Sequence, residues 1–232
     1  MYLICMKGYY NMDLTSPRTI RNIQEQFGFT FKKGLGQNFL TARNILEEIV
    51  DAAEIESGVI EVGPGFGVLT SELAQNSDKV VTIEIDERLI DVLDYTLAEY
   101  DNVKIINEDI LKLDLKKVID DEFNGEKVSI AANLPYYITT PIITKLLEEK
   151  LPIKNIVVMV QKEVAERMST KPSTKDYGAI TVLCQYYTEP SIVANVPASL
   201  FVPPPKVDSA VLKLKVLDKP SVEVKDEGVF FR

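Results

Sequence analysis

The segment Glu61-Val62-Gly63-Pro64-Gly65-Phe66-Gly67 connects a short apolar run to a helical pattern. Glycines at a strand-to-helix turn let the backbone approach a nucleotide-like ligand, which then faces the helix N-terminus. The spacing differs from the dinucleotide fingerprint G-x-G-x-x-G, because Val68 occupies the place of its third glycine. The segment therefore predicts a cofactor loop and disfavours NAD and FAD. A tight turn that binds nothing is the alternative.

On both sides of this segment, apolar helical patterns alternate with short β-branched runs, which indicates a parallel sheet covered by helices. We predict strands buried on both faces at 59–62, 80–85, 103–107, 128–132 and 156–160. Helices are predicted at 45–53, 67–75, 88–99, 115–123, 141–149, 163–168 and 178–187, with Thr41 and Thr140 as the N-caps of the helices that follow them. The runs 191–196 and 209–216 are predicted to close the sheet as a strand pair, joined by a stiff loop that contains prolines 203–205.

The composition is that of a globular protein. The 232 residues are 46% hydrophobic and 26% charged, which allows one large domain, or one domain and a fragment of a second. No segment has the pattern of a signal peptide or a membrane span, so we expect a cytoplasmic protein with no membrane association. The sequence has no histidine, and its two cysteines, Cys5 and Cys184, are far apart. A metal site and histidine-based general base catalysis are therefore not expected.

The net charge of −9 at pH 7 argues, taken alone, against a nucleic-acid partner. The charge is unevenly distributed, however, because residues 1–46 contain six Lys and Arg residues and only two acidic residues. This segment predicts a local basic surface, with a solvated terminal extension as the alternative.

Three residues with hydrogen-bonding side chains stand at the carboxyl ends of successive predicted strands. Glu84 ends the second strand, Asp109 follows the third and Asn133 follows the fourth. Open parallel sheets bind ligands at this edge, so one cleft can contact all three. Glu84 follows Gly63 by 21 residues, a spacing at which a carboxylate can hold the ribose hydroxyls of a nucleotide. For Glu84 and Asp109 the alternative is a solvated loop acid.

Asn133-Leu134-Pro135-Tyr136-Tyr137, directly after a predicted strand, has the most specific chemistry in the chain. Proline contributes no competing donor, so the Leu134 carbonyl and the Asn133 amide oxygen can both accept hydrogen bonds from one exocyclic NH2 group. These acceptors would draw the nitrogen lone pair out of conjugation and aim it at an electrophile, while Tyr136 stacks on the ring. The alternative is a strand-ending turn with core tyrosines.

Five motifs, in order, resemble the KsgA/RsmA family of ribosomal RNA adenine dimethyltransferases, which are related to the Erm methyltransferases. The resemblance covers residues 34–216, and its motifs are Gly36-Gln37-Asn38-Phe39-Leu40, the glycine segment from Glu61, Glu84-Ile85-Asp86, Asn133-Leu134-Pro135-Tyr136 and the proline-rich stretch 201–211. It implies an α/β fold, that of a Rossmann-like class I S-adenosylmethionine-dependent methyltransferase. Such a fold has a mostly parallel seven-stranded sheet, helices on both faces and an antiparallel closing strand pair.

The resemblance implies S-adenosylmethionine as the cofactor, contacted by the matching positions Gln37, Asn38, Leu40, Gly63, Gly65, Glu84, Ile85, Asp109, Ile110 and Asn133. Glu84 is expected to hold the ribose hydroxyls, and Asp109 to accept from the adenine amine. The target adenosine, flipped out of its helix, is expected to be held by Asn133, Leu134, Pro135 and Tyr136, with Phe201 stacking on its other face. The implied activity is N6,N6-dimethylation of two adjacent adenosines near the 3′ end of 16S ribosomal RNA, with a role in ribosome biogenesis.

The resemblance also implies a division of the chain. Residues 1–40 form a basic segment and a cofactor-closing motif, residues 41–217 the methyltransferase domain, and residues 218–232 the start of a truncated C-terminal helical domain. For the apolar end at 229–231, a tail that tucks onto the domain is the alternative. The family's C-terminal domain is basic and helps to grip RNA, so this chain is expected to bind RNA weakly. Small-subunit ribosomal RNA and the immature 30S subunit are the expected partners, and the chain itself is expected to be a monomer.

Three other functions stay open at this point. An Erm-type 23S ribosomal RNA adenine N6-methyltransferase has the same fold and chemistry, but Leu134 and the proline run match the KsgA/RsmA pattern more closely. A non-catalytic RNA-binding assembly factor would keep the cofactor fold but would not need the intact motif at 133–136. A dehydrogenase ranks last because of Val68.

Overall fold

The computed structural model describes residues 12–29 and 38–231. Its strands are β1 (Phe39–Leu40), β2 (Val59–Val62), β3 (Val80–Glu84), β4 (Val103–Asn107), β5 (Val128–Asn133), β6 (Ile153–Gln161), β7 (Thr188–Val196), β8 (Phe201–Val202) and β9 (Ser209–Val216). Its helices are α1 (Pro17–Phe27), α2 (Arg43–Ala53), α3 (Val68–Gln75), α4 (Ile90–Thr96), α5 (Leu115–Phe123), α6 (Thr139–Glu148), α7 (Lys162–Ser169), α8 (Ala179–Tyr187) and α9 (Glu227–Phe230). Every predicted strand and helix is present, with bounds that differ by a few residues. Within the described ranges, no helix is long and apolar enough to cross a membrane.

Seven strands form one sheet in the order β4-β3-β2-β5-β6-β9-β7. The first five of these are parallel, whereas β9 is antiparallel to both of its neighbours. The mostly parallel sheet and the antiparallel closing pair are therefore confirmed. Strands β1 and β8 form a separate antiparallel ribbon, in which Phe39 lies opposite Val202 and Leu40 opposite Phe201.

Helices cover both faces of the sheet, as predicted, because alternate side chains of the central strands pack into two different cores. In β2, Ile60 belongs to one core and Val59 to the other, and in β5 Ile130 and Ala131 are divided in the same way. Helices α5 to α8 contribute to the first core and α1 to α4 to the second. This alternation follows from the two-residue period of side chains along a strand.

Strand β4 differs from the expectation that it is buried on both faces. It lies at one edge of the sheet, and its residues are only partly buried or exposed. An edge strand has one neighbouring strand instead of two, so apolar sequence alone cannot distinguish it from a central strand. Lys104 on β4 forms an ion pair with Glu122 of α5 at this edge.

Two predicted N-caps are wrong. Helix α2 has Ala42 as its N-cap, and the Thr41 hydroxyl instead donates to the Leu200 carbonyl at 2.8 Å. Helix α6 begins one residue before Thr140, so this threonine lies inside the helix. Thr41 therefore ties the start of α2 to the residue that precedes β8.

The apolar end of the chain packs against the domain. The Phe230 ring lies 5.4 Å from the Tyr186 ring, and the Phe231 ring 6.0 Å from the Tyr187 ring. Both tyrosine hydroxyls donate to Glu227. Helix α9 thus covers the end of α8, and the assignment of residues 218–232 to a further helical domain stays a prediction.

One carboxyl group is enclosed within the sheet. Glu61 of β2 is 1% exposed, and the Thr70 hydroxyl donates to it at 2.5 Å. Burial raises the pKa of Glu61 to about 7, against the opposing effect of this hydrogen bond. The carboxyl group is therefore partly protonated near neutral pH.

We predict that Glu61 makes the folded state less stable as the pH rises. Its folded pKa lies above its unfolded value, so its favourable contribution is complete below about pH 4.3 and is lost as the pH rises through about 7. The Glu61 contribution to this decrease in the free energy of unfolding should be at most about 3 kcal/mol between about pH 5 and about pH 8. Glu84, whose pKa burial also raises to about 7, adds a separate decrease over the same range. Glu61→Gln keeps an acceptor for Thr70 and should remove the Glu61 contribution to this dependence, leaving that of Glu84. Urea unfolding at both pH values measures the slope, and an unchanged slope in the variant would contradict the assignment.

Candidate functional site

A cavity that is open to solvent lies at the carboxyl ends of the parallel strands. Nine of the ten residues predicted to bind the cofactor line it: Asn38, Leu40, Gly63, Gly65, Glu84, Ile85, Asp109, Ile110 and Asn133. The tenth, Gln37, lies outside the described residues. These nine residues therefore lie together at one cavity, as the sequence predicted. Their contacts with a cofactor stay predictions.

The glycine segment forms the floor of this cavity between β2 and α3. Gly63 and Gly65 have φ values of +72° and +60°, which residues with a Cβ rarely adopt. A Cβ on Gly65 would lie 2.6 Å from the Phe39 ring, whereas a Cβ on Gly63 would meet nothing within 4 Å. Gly65 is thus required for packing, and Gly63 leaves open space beside the backbone for a ligand.

Three phenylalanine rings hold the N-terminal motif against the glycine segment. The Phe39 and Phe66 rings stack with centroids 4.3 Å apart, and Phe29 meets Phe66 edge to face at 5.3 Å. These contacts bring residues 38–40 to the cavity wall. At the level of the sequence, only the family resemblance predicted that this motif lies at the cofactor.

Glu84, at the end of β3, presents a mostly buried carboxyl group to the cavity. The residue is 5% exposed, and the Asp86 amide donates to it at 2.8 Å. Burial raises the pKa of Glu84 to about 7, although the amides of Asp86, Gly65 and Ile85 oppose the rise. A buried carboxylate with further acceptor positions is suited to a pair of ribose hydroxyls.

Apolar and acidic groups share the wall beyond Glu84. Ile85 is 54% exposed, whereas Ile110, which also lines the cavity, is buried. Asp109 accepts from the Leu111 amide at 3.0 Å and lies 3.7 Å from the Lys112 ammonium group. An exposed isoleucine in a cavity offers a flat aromatic base an apolar contact, and Asp109 offers its amine an acceptor.

The Asn133 carboxamide has a defined orientation. Its Nδ2 donates to the Asn38 backbone carbonyl at 3.0 Å. This contact assigns the nitrogen to the side of Asn38, so the oxygen lies on the other side. Among the described residues, none donates a hydrogen bond to that oxygen. Asn133 therefore offers a free acceptor at the cavity wall.

The remaining residues predicted to hold the target base occupy different environments. Leu134 is 1% exposed and belongs to the core, so the role of its carbonyl as an acceptor stays a prediction, whereas Pro135 lines the cavity. The Tyr136 side chain is half-buried, and its hydroxyl lies 2.9 Å from Ser209 Oγ. Phe201 was expected on the proline loop, but it lies in β8 and is 3% exposed. Its ring is in the core because its strand pairs with Leu40, so stacking on a base requires the ring to move.

Two further residues at the cavity were not assigned a role from the sequence. Tyr137 lines the cavity and is 58% exposed, and Glu61 lies at its base. Both belong to motifs that were recognised, but exposure and burial of individual side chains cannot be read from those motifs. The described residues contain no group of three or more acidic or cysteine side chains arranged to hold a metal ion.

Comparison with known proteins gives the family. A model described as "Ribosomal RNA adenine dimethylase" matches residues 28–232. The ribosomal RNA small subunit methyltransferase A of Bacillus mycoides is 54% identical over 222 residues, which are 94% of this chain and 76% of that protein.

Solved structures agree with this match. A dimethyladenosine transferase from Plasmodium falciparum has a TM-score of 0.67 and 34% identity, covering 84% of this chain and 66% of that one. The 23S rRNA methyltransferase ErmE has a TM-score of 0.68 and 32% identity, covering 80% and 72%. The resemblance seen in the sequence and the methyltransferase fold are confirmed, and the chain belongs to the ribosomal RNA adenine dimethylase family.

Proposed function

We infer that the protein is an S-adenosylmethionine-dependent methyltransferase that dimethylates the N6 amines of adenosines in 16S ribosomal RNA. The observation that carries this function is the Asn133 carboxamide, whose oxygen is left to accept from an amine because its nitrogen is held by Asn38. The relatives named for the small ribosomal subunit support the choice of RNA. We further propose two adjacent adenosines near the 3′ end as the target and the immature 30S subunit as the partner. The enzyme would act as a monomer in the cytoplasm, where this partner assembles.

The residues around the cavity fit S-adenosylmethionine. Gly63 leaves room for the methionine part, Glu84 can accept from both ribose hydroxyls, and Asp109 can accept from the adenine amine beside Ile85. Asn38, together with Gln37 from outside the described residues, would complete the site. When bound, this cofactor supplies an electrophilic methyl group on a positively charged sulfur.

The chain's main contribution to the reaction is to orient the target amine. The Asn133 side-chain oxygen and the Leu134 carbonyl each accept one N–H of the N6 group, which turns the nitrogen lone pair out of conjugation with the ring. Tyr136 stacks on the base, and Phe201 would turn outward to contact the other face. No charged catalytic base is needed to aim the lone pair.

The proton that the methylated nitrogen must lose goes to solvent or to a neighbouring carbonyl. Tyr136 does not take it, because burial raises the pKa of its phenol above the ordinary value and the Asp208 charge raises it further. The Tyr136 side chain therefore acts as a neutral ring. After the first transfer the amine keeps one N–H, so one acceptor loses its partner and the second transfer depends more on stacking.

The basic N-terminal segment is the proposed contact with RNA outside the cavity. Arg18 and Arg21 are exposed on α1. Lys7, Lys32 and Lys33 lie outside the described residues. Because phosphate contacts release counterions, RNA binding by this segment should weaken steeply as salt increases.

We predict that Glu84→Gln lowers the affinity for S-adenosylhomocysteine by about 10- to 100-fold, because hydrogen bonds to a charged acceptor are worth about 1.5–3 kcal/mol. Since the ionised carboxylate is the better acceptor, wild-type affinity should rise with pH through about 7 and then level off. The variant should show no such rise. Calorimetric titration across this pH range makes the measurement, with exposed Glu87→Gln as the matched control. Equal affinities for the wild-type chain and Glu84→Gln would exclude a role for Glu84 in binding.

We predict that Asn133→Ala keeps cofactor affinity within about tenfold but slows methyl transfer by at least about 100-fold, because it removes an acceptor that orients the reacting amine. Single-turnover transfer of labelled methyl measures the rate. Asn102→Ala is the matched control, since it removes carboxamide hydrogen bonds to Ala74 and Ser77 away from the cavity. A wild-type rate in Asn133→Ala would show that this residue does not act on the amine.

The RNA that is methylated distinguishes the proposed function from the main alternative, the Erm-type reaction. The structural similarity to ErmE is the reason to test this alternative. Labelled methyl transfer should be measured on immature small subunits and on large-subunit RNA in parallel. We expect label in the small-subunit RNA. Label in the large-subunit RNA alone would assign the chain to the Erm reaction, and cofactor binding without any transfer would favour an assembly factor.

A further inference from the structure

Two consecutive residues contact both elements that are proposed to hold the target base: Asp208, directly before β9, and Ser209, the first residue of β9. Ser209 lies opposite Gln161 in the sheet, at the edge where the parallel strands end, and is 1% exposed. Its hydroxyl oxygen lies 2.9 Å from the Tyr136 hydroxyl, and either atom can be the donor. The ring of Tyr136 is thereby held at its far end as well as at its backbone.

Asp208 closes the loop that contains the three prolines and follows β8, the strand of Phe201. Its carboxylate accepts from the Ala198 amide at 2.9 Å, and its carbonyl accepts from the Lys162 amide at 3.0 Å. The other side of the loop is attached to the residue that follows the N-terminal motif, because the Thr41 amide and hydroxyl both donate to the Leu200 carbonyl. The loop is therefore fixed at its base directly beside the residue that holds Tyr136.

We propose that Ser209 is a positioning residue for base recognition, and that its hydroxyl sets the orientation in which Tyr136 stacks on the target adenine. Without this contact the Tyr136 side chain is free to change rotamer, and a stacking ring must be held within a few tenths of an ångström and about 20° to act. Asp208 fixes the adjacent loop to the same point of the sheet. This inference rests on the proposed function.

The experiment is a double-mutant cycle on single-turnover methyl transfer to small-subunit RNA with saturating cofactor. Ser209→Ala should slow transfer about tenfold, as expected for a misplaced orienting group, and leave cofactor affinity unchanged within about twofold. Tyr136→Phe should have a similar effect, and the double variant should be no slower than either single variant. Ser209→Thr, which keeps the hydroxyl, should restore most of the rate.

Ser129→Ala is the matched control. Ser129 is also a buried serine in the sheet, and its hydroxyl donates to the Ala53 carbonyl at 2.6 Å, at the opposite end of β5 from Asn133. Its loss should lower the melting temperature but not the rate per folded molecule. A merely structural role for Ser209 predicts the same pattern as this control.

A wild-type rate in Ser209→Ala, or additive effects in the double variant, would overturn the positioning role. If Ser209→Ala does not fold, Tyr136→Phe removes the same hydrogen bond from the partly exposed side. A wild-type rate in Tyr136→Phe would likewise overturn the positioning role. Absence of transfer by the unmodified chain would contradict the proposed function instead.

Discussion

The hydrogen bond from the Asn133 side chain to the Asn38 carbonyl is the contact on which the site depends. It determines which end of the carboxamide is left for a substrate, and it joins the end of β5 to the N-terminal motif. The next two residues of that motif, Phe39 and Leu40, also have fixed partners. Phe39 packs over Gly65 and stacks on Phe66, and Leu40 pairs with Phe201 of β8. Residues 38–40 therefore contact three parts of the site: Asn133, the glycine segment and the strand β8 that contains Phe201.

The order of the strands explains why these groups can meet. The central strand β2 has β3 on one side and β5 on the other, so the strand order reverses at this point. Such a reversal leaves a crevice at the carboxyl ends of the strands. Glu84 ends β3 and Asn133 ends β5, on opposite sides of the glycine segment that follows β2. A nucleotide laid across this crevice can contact all three, which leaves the acceptor of Asn133 next to its reactive end.

Much of this arrangement could be predicted from the sequence. Short β-branched runs predicted the strands, and the parallel order follows from the helices between them, so residues at the strand ends were expected in one cleft. The β1–β8 ribbon could not be predicted, because its two-residue strands lie far apart in the chain and have no periodicity. For the same reason the burial of Phe201 and the contact of Thr41 with Leu200 were missed. The edge position of β4 and the exposure of Tyr137 depend on neighbours that local sequence does not reveal.

The most direct test of the account is the identity of the methylated nucleoside. Small-subunit RNA treated with the enzyme and S-adenosylmethionine would be digested to nucleosides and analysed by mass spectrometry. If Asn133 and Leu134 orient an exocyclic amine that can be presented again after one transfer, the product is N6,N6-dimethyladenosine. A methyl group on a ring nitrogen, on a ribose hydroxyl or on a base other than adenine would contradict it.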